Sequence, residues 1–181
     1  MAAQTAGSWC SSEMGLLGID PWRGQFHMEM VWWHLAHYAL WDRWELGRAA
    51  IDCYQRFAPA AKQLASQLGY QGLKWQKSVG PEARTAPWYG NQVLLWKQPH
   101  PIFFAELDYR LHPTRATLEK WADIIQGTAE HMADYPVRDD TGMYHLAPAM
   151  PPSEQGITRD PVFDLAYWRW GLDKAQEWRQ R

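Results

Sequence analysis

Cysteine is almost missing from this sequence. Cys10 and Cys53 are the only two among 181 residues, too few for a disulfide framework, and neither stands in a Cys-x-x-Cys pair that would point to zinc or redox work. Both are expected to be inert thiols. An excess of charge of one sign is missing as well: 18 Lys and Arg face 20 Asp and Glu, a formal net charge of -2, and the basic residues are scattered rather than gathered into a stripe that would track phosphates. Nucleic acid is not an expected partner. No apolar run approaches the roughly 18 residues that a membrane span requires, and the N-terminal MAAQTAGSWCSSEMG lacks a basic region followed by an apolar one. The chain reads as soluble, with no membrane partner and no cofactor.

What is abundant is tryptophan, with 13 residues in a chain that is 14% aromatic. Aromatic side chains supply large, flat surfaces with a polar edge, which suits a core and equally a pocket for sugar rings, whose C–H faces stack on indoles. Tryptophan count alone leaves both open. A chain of 181 residues forms one domain with a sizeable core, or part of a larger one.

Residues 1–24 read as irregular, broken by Gly7, Gly15, Gly18, Pro21 and Gly24. From Phe26 to Trp44 there is no Gly or Pro and the residues are apolar almost all round, which predicts a helix enclosed by other helices. Along it His27, Met30, His34, His37 and Trp41 fall on one stripe. Three imidazoles in a row suggest metal, but no His-Glu-x-x-His occurs and no acid or Cys completes a ligand set, so pocket or core histidines are the expectation. Glu45–Leu68 predicts an amphipathic outer helix, kinked or split at Pro59 and stopped at Gly69. Residues 70–99 form a long connection, rich in Gly, Pro and aromatics, that predicts a structured pocket wall. Pro101 opens a second inner helix ending at Leu111; Pro113 and Thr114 begin an outer one with the stripe Leu118, Trp121, Ile125, Thr128 and Met132. Asp160 is expected to cap, and Pro161 to start, a last helix with the stripe Phe163, Ala166, Tyr167, Trp170, Lys174 and Trp178. No segment has a convincing period of two. The fold expected is all-α, an antiparallel array of helical hairpins.

Between the last two helices lies the loop Met143–Asp160, MYHLAPAMPPSEQGITRD, which is proline-rich and carries one glutamate, Glu154. A rigid loop holding one carboxyl at the mouth of a helical scaffold marks Glu154 as a candidate catalytic acid; the alternative is a solvated loop carboxylate.

The stretches GQFHMEMVWWHLAHYALW, WKQPHPIFFAELDYR and DPVFDLAYWRWGLDKAQEWRQR, in that order, resemble segments of the six-hairpin glycosidases. More narrowly they are similar to bacterial proteins related to glycoside hydrolase families 65 and 95, the latter including inverting alpha-L-fucosidases. The resemblance covers nearly the whole chain and implies an (α/α)6 toroid, with inner helices lining a pocket and long loops at one rim. Twelve helices with their connections need on the order of 300 residues. Residues 1–181 are therefore expected to be a partial catalytic domain. Relatives carry residues resembling AGSWCSSEMGLLGIDPWRG well inside the protein, which suggests that Met1 is not the start of a full-length enzyme. The partners implied are a carbohydrate substrate and the remainder of the same domain.

In the fucosidase-like relatives the general acid is a glutamate in a Pro/Ser-rich loop before an inner helix, and Glu154 in PPSEQ matches it. By the same resemblance Trp22, Glu29, Trp33, His34, Trp75, Gln98 and His100 are candidate sugar contacts. Two asparagines that family 95 uses as base align with Gln25 and His27, and their supporting aspartate falls beyond Arg181. Glu13 is a further rim carboxylate. Glu154 as donor is expected to sit in an apolar, partly closed environment that keeps it protonated near neutrality. The function implied is hydrolysis of O-glycosyl bonds in oligo- or polysaccharides with inversion. The competing reading is a non-catalytic helical carbohydrate-binding or scaffold module. A helical toroid handling isoprenoids would need acidic metal-binding clusters, and Asp139-Asp140 followed by Thr141-Gly142-Met143 does not supply one.

Overall fold

The computed structural model describes residues 26–80, 83–85 and 89–181. The irregular segment expected at residues 1–24, together with Cys10, Glu13, Trp22, Gln25 and Trp88, lies outside the described residues.

The described chain is mostly helical, in keeping with an all-α fold. Its helices are α1 (Val31–Leu40), α2 (Trp44–Ile51), α3 (Cys53–Gln67), the short α4 (Gly90–Val93), α5 (His100–Leu111), α6 (Arg115–Asp134) and α7 (Val162–Trp178). Helix α1 packs on α5 and α5 on α7, making a row; α6 packs on α5, α7 and α3. Helices α5 and α6 are joined by only three residues and lie against each other, which makes them a helical hairpin. Thr114 caps α6, its Oγ1 accepting the Thr117 N–H at 3.2 Å, and the buried stripe of α6 includes Trp121, Ile125, Thr128 and Met132 as expected. Pro101 stands in the first turn of α5, where its missing N–H has no partner to lose.

Two pairs of short strands interrupt the helices, although the sequence has no period-two segment. Strand β1 (Phe26–His27) pairs antiparallel with β2 (Ser78–Val79), and β3 (Val137–Arg138) with β4 (Tyr144–His145). The first pair corrects the expected helix from Phe26. Residues 26–27 spend their backbone groups on the 70–99 connection, so the helix begins only at Val31, and it ends at Leu40 because Asp42 turns the chain at φ 52°. Asp42 is followed at once by α2. His27 is therefore on a strand and does not share the helical stripe of His34 and His37.

Of the kink or split expected at Pro59, the split does not occur. The proline lies inside α3, whose face Tyr54, Phe57, Ala61 and Ala65 is buried in the core; that packing outweighs the one missing backbone bond. The break comes at Asp52 instead. The stop at Gly69 holds, with φ 81°. In α7 the buried face is Asp164, Trp168, Gly171, Ala175 and Trp178 rather than the expected stripe, of which only Trp178 is enclosed on this side. Asp160 does not cap α7: its residue adopts φ 55°, its carboxylate turns to Leu146 and His145, and Pro161 holds the cap position.

Six of the ten described tryptophans are buried. Trp75, Trp121, Trp168 and Trp178 are buried, and each indole N–H finds an acceptor: Thr128 Oγ1 at 2.9 Å, Asp108 Oδ2 at 2.8 Å, the Met132 carbonyl at 2.8 Å and Glu106 Oε2 at 3.1 Å. Cys53 is also in the core, and burial pushes its thiol up to about 12, an inert group. The connection after Gly69 runs against α6 and α3, with Leu73 N–H on the Gly127 carbonyl at 2.7 Å and Lys74 N–H on the Ala61 carbonyl at 3.2 Å. Residues 73–79 are buried throughout.

Candidate functional site

The first turns of α1, α5 and α7 meet at one end of the row. His100, fully buried at the start of α5, joins them: its Nε2 donates to the Glu29 carbonyl ahead of α1 at 3.2 Å, and its Nδ1 accepts from the Tyr167 hydroxyl of α7 at 3.1 Å. The carbonyl can only accept, so it fixes this tautomer. Burial pushes His100 down to about 3, which keeps it neutral.

Glu29 lies at this junction because β1 pairs with β2. The Met28 N–H bonds the Lys77 carbonyl at 2.6 Å, and His27 Nδ1 meets Ser78 Oγ at 3.0 Å. That register sets Glu29 beside Lys77. The ammonium of Lys77, itself buried, stands 3.6 Å from Glu29 Oε1 and 2.5 Å from Glu154 Oε1. One ammonium thus serves two carboxylates from opposite ends of the chain.

The two acids differ in setting. Burial pushes Glu29 up to about 7 against the pull of Lys77, and among the described residues its Oε2 has no donor. Glu154 is exposed, at the tip of the loop with φ 59°, rather than in the closed apolar environment expected for it. Asp164, at the first turn of α7, is fully buried with no donor to either oxygen among the described residues, and burial raises it to about 6 in spite of Lys97. Burial holds the Lys97 ammonium well below the ordinary lysine range.

Along the same face runs an aromatic wall. Trp32 stacks near His100 at 6.4 Å and meets Phe103 at 5.6 Å; Phe103 meets Trp170 at 5.7 Å, and Trp170 stacks on Tyr167 at 5.5 Å. Trp96 links Trp33 at 6.4 Å to Phe163 at 6.2 Å. Trp33 is 60% exposed and Phe163 53%, so flat apolar surface faces outward from this wall. The hollow beneath β2, lined by Met28, Phe57, Ala61, Leu64, Trp75 and Val79, contains no carboxyl.

The residues singled out in the sequence thus fall into groups. Glu29, His27 and Glu154 gather around Lys77, and Trp33 stands on the adjoining wall. His34 is half-buried on α1, its imidazole lowered by burial and by His37. Trp75, Gln98 and His100 are enclosed. Gln98 does not cap α5; its Oε1 accepts the Trp75 N–H at 3.0 Å and its Nε2 donates to the Leu73 carbonyl at 2.6 Å, pinning the connection to the helix. Among the described residues no three of His, Cys, Asp and Glu are grouped to hold a metal ion, and no helix is long and apolar enough to cross a membrane. Lys77, Asp164 and Tyr167 escaped the sequence reading as site residues. Lys77 stands in an aperiodic connection, and only β1–β2 pairing, which has no period-two signal, brings it to Glu29. Comparison with protein-family models finds no match for this chain, and comparison with curated proteins finds none either.

Proposed function

We propose that these residues form the acidic side of a glycoside-hydrolase site, cleaving O-glycosyl bonds of oligo- or polysaccharides with inversion, within an (α/α)6 toroid of which these helices are one part. The observation that carries this reading is two carboxyls, Glu29 and Glu154, held on one ammonium. The exposed aromatic wall supplies a surface on which a sugar ring can stack its C–H face. In this reading Glu154, at the exposed loop tip, is the carboxyl that meets the glycosidic oxygen.

A donor must be loaded with a proton, and Glu154 on Lys77 is an ion-paired carboxylate. Glu29, raised to about 7, is the group that keeps a proton near neutrality. In this reading substrate draws Lys77 from Glu154 to Glu29; Glu29 gives up its proton, Glu154 takes one, and the net charge of the three groups is unchanged. The acid then protonates the leaving oxygen while a base outside this cluster activates water across the roughly 6.5–9.5 Å that inversion requires.

The test is sugar release from a panel of oligosaccharides and aryl glycosides by the protein in its longest natural form, with Glu154→Gln beside it. Wild type is expected to cleave one sugar class and the variant to lose at least about 100-fold, the scale of general-acid catalysis. The second reading, a non-catalytic carbohydrate-binding module, is favoured by the Lys77–Glu154 pair, which occupies the donor in this structure. Binding without hydrolysis, equal in wild type and Glu154→Gln, would establish it.

A further inference from the structure

The loop that carries Glu154 is closed by a short stem. At its base the Asp160 N–H bonds the Leu146 carbonyl at 3.0 Å, and the Leu146 N–H bonds Asp160 Oδ1 at 2.8 Å. One step further, Ala149 and Thr158 exchange backbone bonds of 3.0 and 2.7 Å. The tip, residues 151–157, projects beyond this ladder to Lys77. The outermost rung is His145, at the end of β4. Its Nδ1 meets Asp160 Oδ2 at 2.6 Å and its Nε2 meets Asp139 Oδ2 at 3.0 Å.

A carboxylate only accepts, so an imidazole bonded to carboxylates through both nitrogens must carry both protons. Asp139 is committed to its role, since its Oδ1 already accepts from Thr141 N, Thr141 Oγ1 and Met143 N at 2.9, 2.7 and 2.9 Å. The charged groups facing the ring are Asp139 from the hairpin and Asp160 and Arg159 from the loop's end; Arg159 Nε lies 3.8 Å from Asp160 Oδ2. Of the other charges on the hairpin, Arg138 is turned to the Gly142 carbonyl and the Tyr144 ring, and Asp140 is not one of the carboxylates paired with the imidazole.

We propose that the Asp139–His145–Asp160 bridge is a proton-operated latch, with His145 the positioning residue that holds the Glu154 loop against the β3–β4 hairpin. When the imidazolium gives its proton to solvent, one nitrogen keeps an N–H and the other presents a lone pair to a carboxylate. One of the two contacts then breaks, the remaining one is weaker, and the base of the stem loosens. The Asp160 and Asp139 carboxylates raise the His145 imidazole above its ordinary value, so the closed loop persists to higher pH than a free histidine would allow and opens as the pH rises through that raised value. The consequence for chemistry rests on the hydrolase reading above, whereas the latch itself does not.

The experiment is made first without substrate. Long-range nitrogen–proton correlation spectra of the whole chain should show His145 protonated at both nitrogens at pH 6, titrating later than a free histidine. Hydrogen exchange at the bonded amides of Leu146, Ala149, Glu154, Thr158 and Asp160, corrected for intrinsic rates, should lose roughly tenfold in protection across that titration, the scale of a lost charge-assisted bond. His145→Gln should give a profile flat in this pH range, and Asp160→Asn should lower the His145 titration. A single-protonated His145 at pH 6, or protection that does not follow its titration in wild type, overturns the latch, whether or not either variant folds. If the latch is present and no glycoside is cleaved, the hydrolase reading alone fails. If glycosides are cleaved and kcat is indifferent to the His145 titration while KM is unchanged, the positioning role fails alone.

Discussion

Lys77 is the residue on which the site turns, because its ammonium is the group that meets both Glu29 and Glu154. Glu29 offers a direct test. Its carboxyl is raised from the usual 4.5 to about 7 by burial, so the folded state binds a proton that the unfolded chain releases. The stability tied to that proton is complete below about pH 4.5 and is lost as the pH rises through 7. Glu29→Gln removes the loss: urea unfolding should show the variant close to wild type at pH 4.5 and more stable by roughly 1–3 kcal/mol at pH 8. An unchanged difference at the two pH values would mean that Glu29 is not held protonated. Asp164, raised to about 6, adds to the same wild-type slope. Of these groups Glu154 is legible in the sequence as the lone carboxyl of a proline-rich loop. The raised acid is not, since Glu29 sits inside an apolar run and its burial is decided by which strand pairs beside it.

At the scale of elements the crossing of the 70–79 connection over α6 is the tightest point. Gly72 has φ 72°, and a Cβ there would lie 2.5 Å from the His131 backbone N; at Gly127 a Cβ would lie 2.6 Å from Leu73 Cγ. Gly72→Ala should therefore cost about 2 kcal/mol or more of stability, by backbone strain and by pushing the connection off α6. Thermal unfolding reads this, and an unchanged Tm would refute the close crossing. The sequence marked Gly72 only as a breaker within a long loop. It marked α5 and α6 well, since Pro101 and Thr114 act locally and the α6 stripe is periodic. It misjudged α3 and α7, where tertiary contacts choose: a buried face holds α3 together through Pro59, and α7 has two apolar faces, of which the one bearing Gly171 fits against Pro99 and Met132. The other face contributes Phe163, Tyr167 and Trp170 to the wall.

For the whole molecule, the outward apolar side chains include Trp33, Leu40 and Trp41 along and just after α1 and Val162, Phe163 and Leu165 in the first turn of α7. Exposed aromatic and aliphatic surface of this kind favours association. The 181-residue chain studied alone should therefore self-associate, with sedimentation coefficients that rise with concentration, and Trp33→Ser with Phe163→Ser should reduce this. A monodisperse monomer that unfolds cooperatively would count against an open apolar surface.

Composition and local pattern were enough for helix content, for the positions of α5 and α6, for the stops at Gly69 and Leu111, and for the loop that carries Glu154. These follow from interactions within a few residues of each other: a proline's missing N–H, a threonine cap, a 3.6-residue period. The site depends on contacts across the chain that carry no local signature. Lys77 reaches Glu154 over 77 positions and His100 reaches Tyr167 over 67. Two-residue strands are too short to show a period, yet they set Glu29 beside Lys77 and His145 between Asp139 and Asp160. Burial then separates one carboxyl from another, raising Glu29 to about 7 while Glu154 stands exposed at the loop tip.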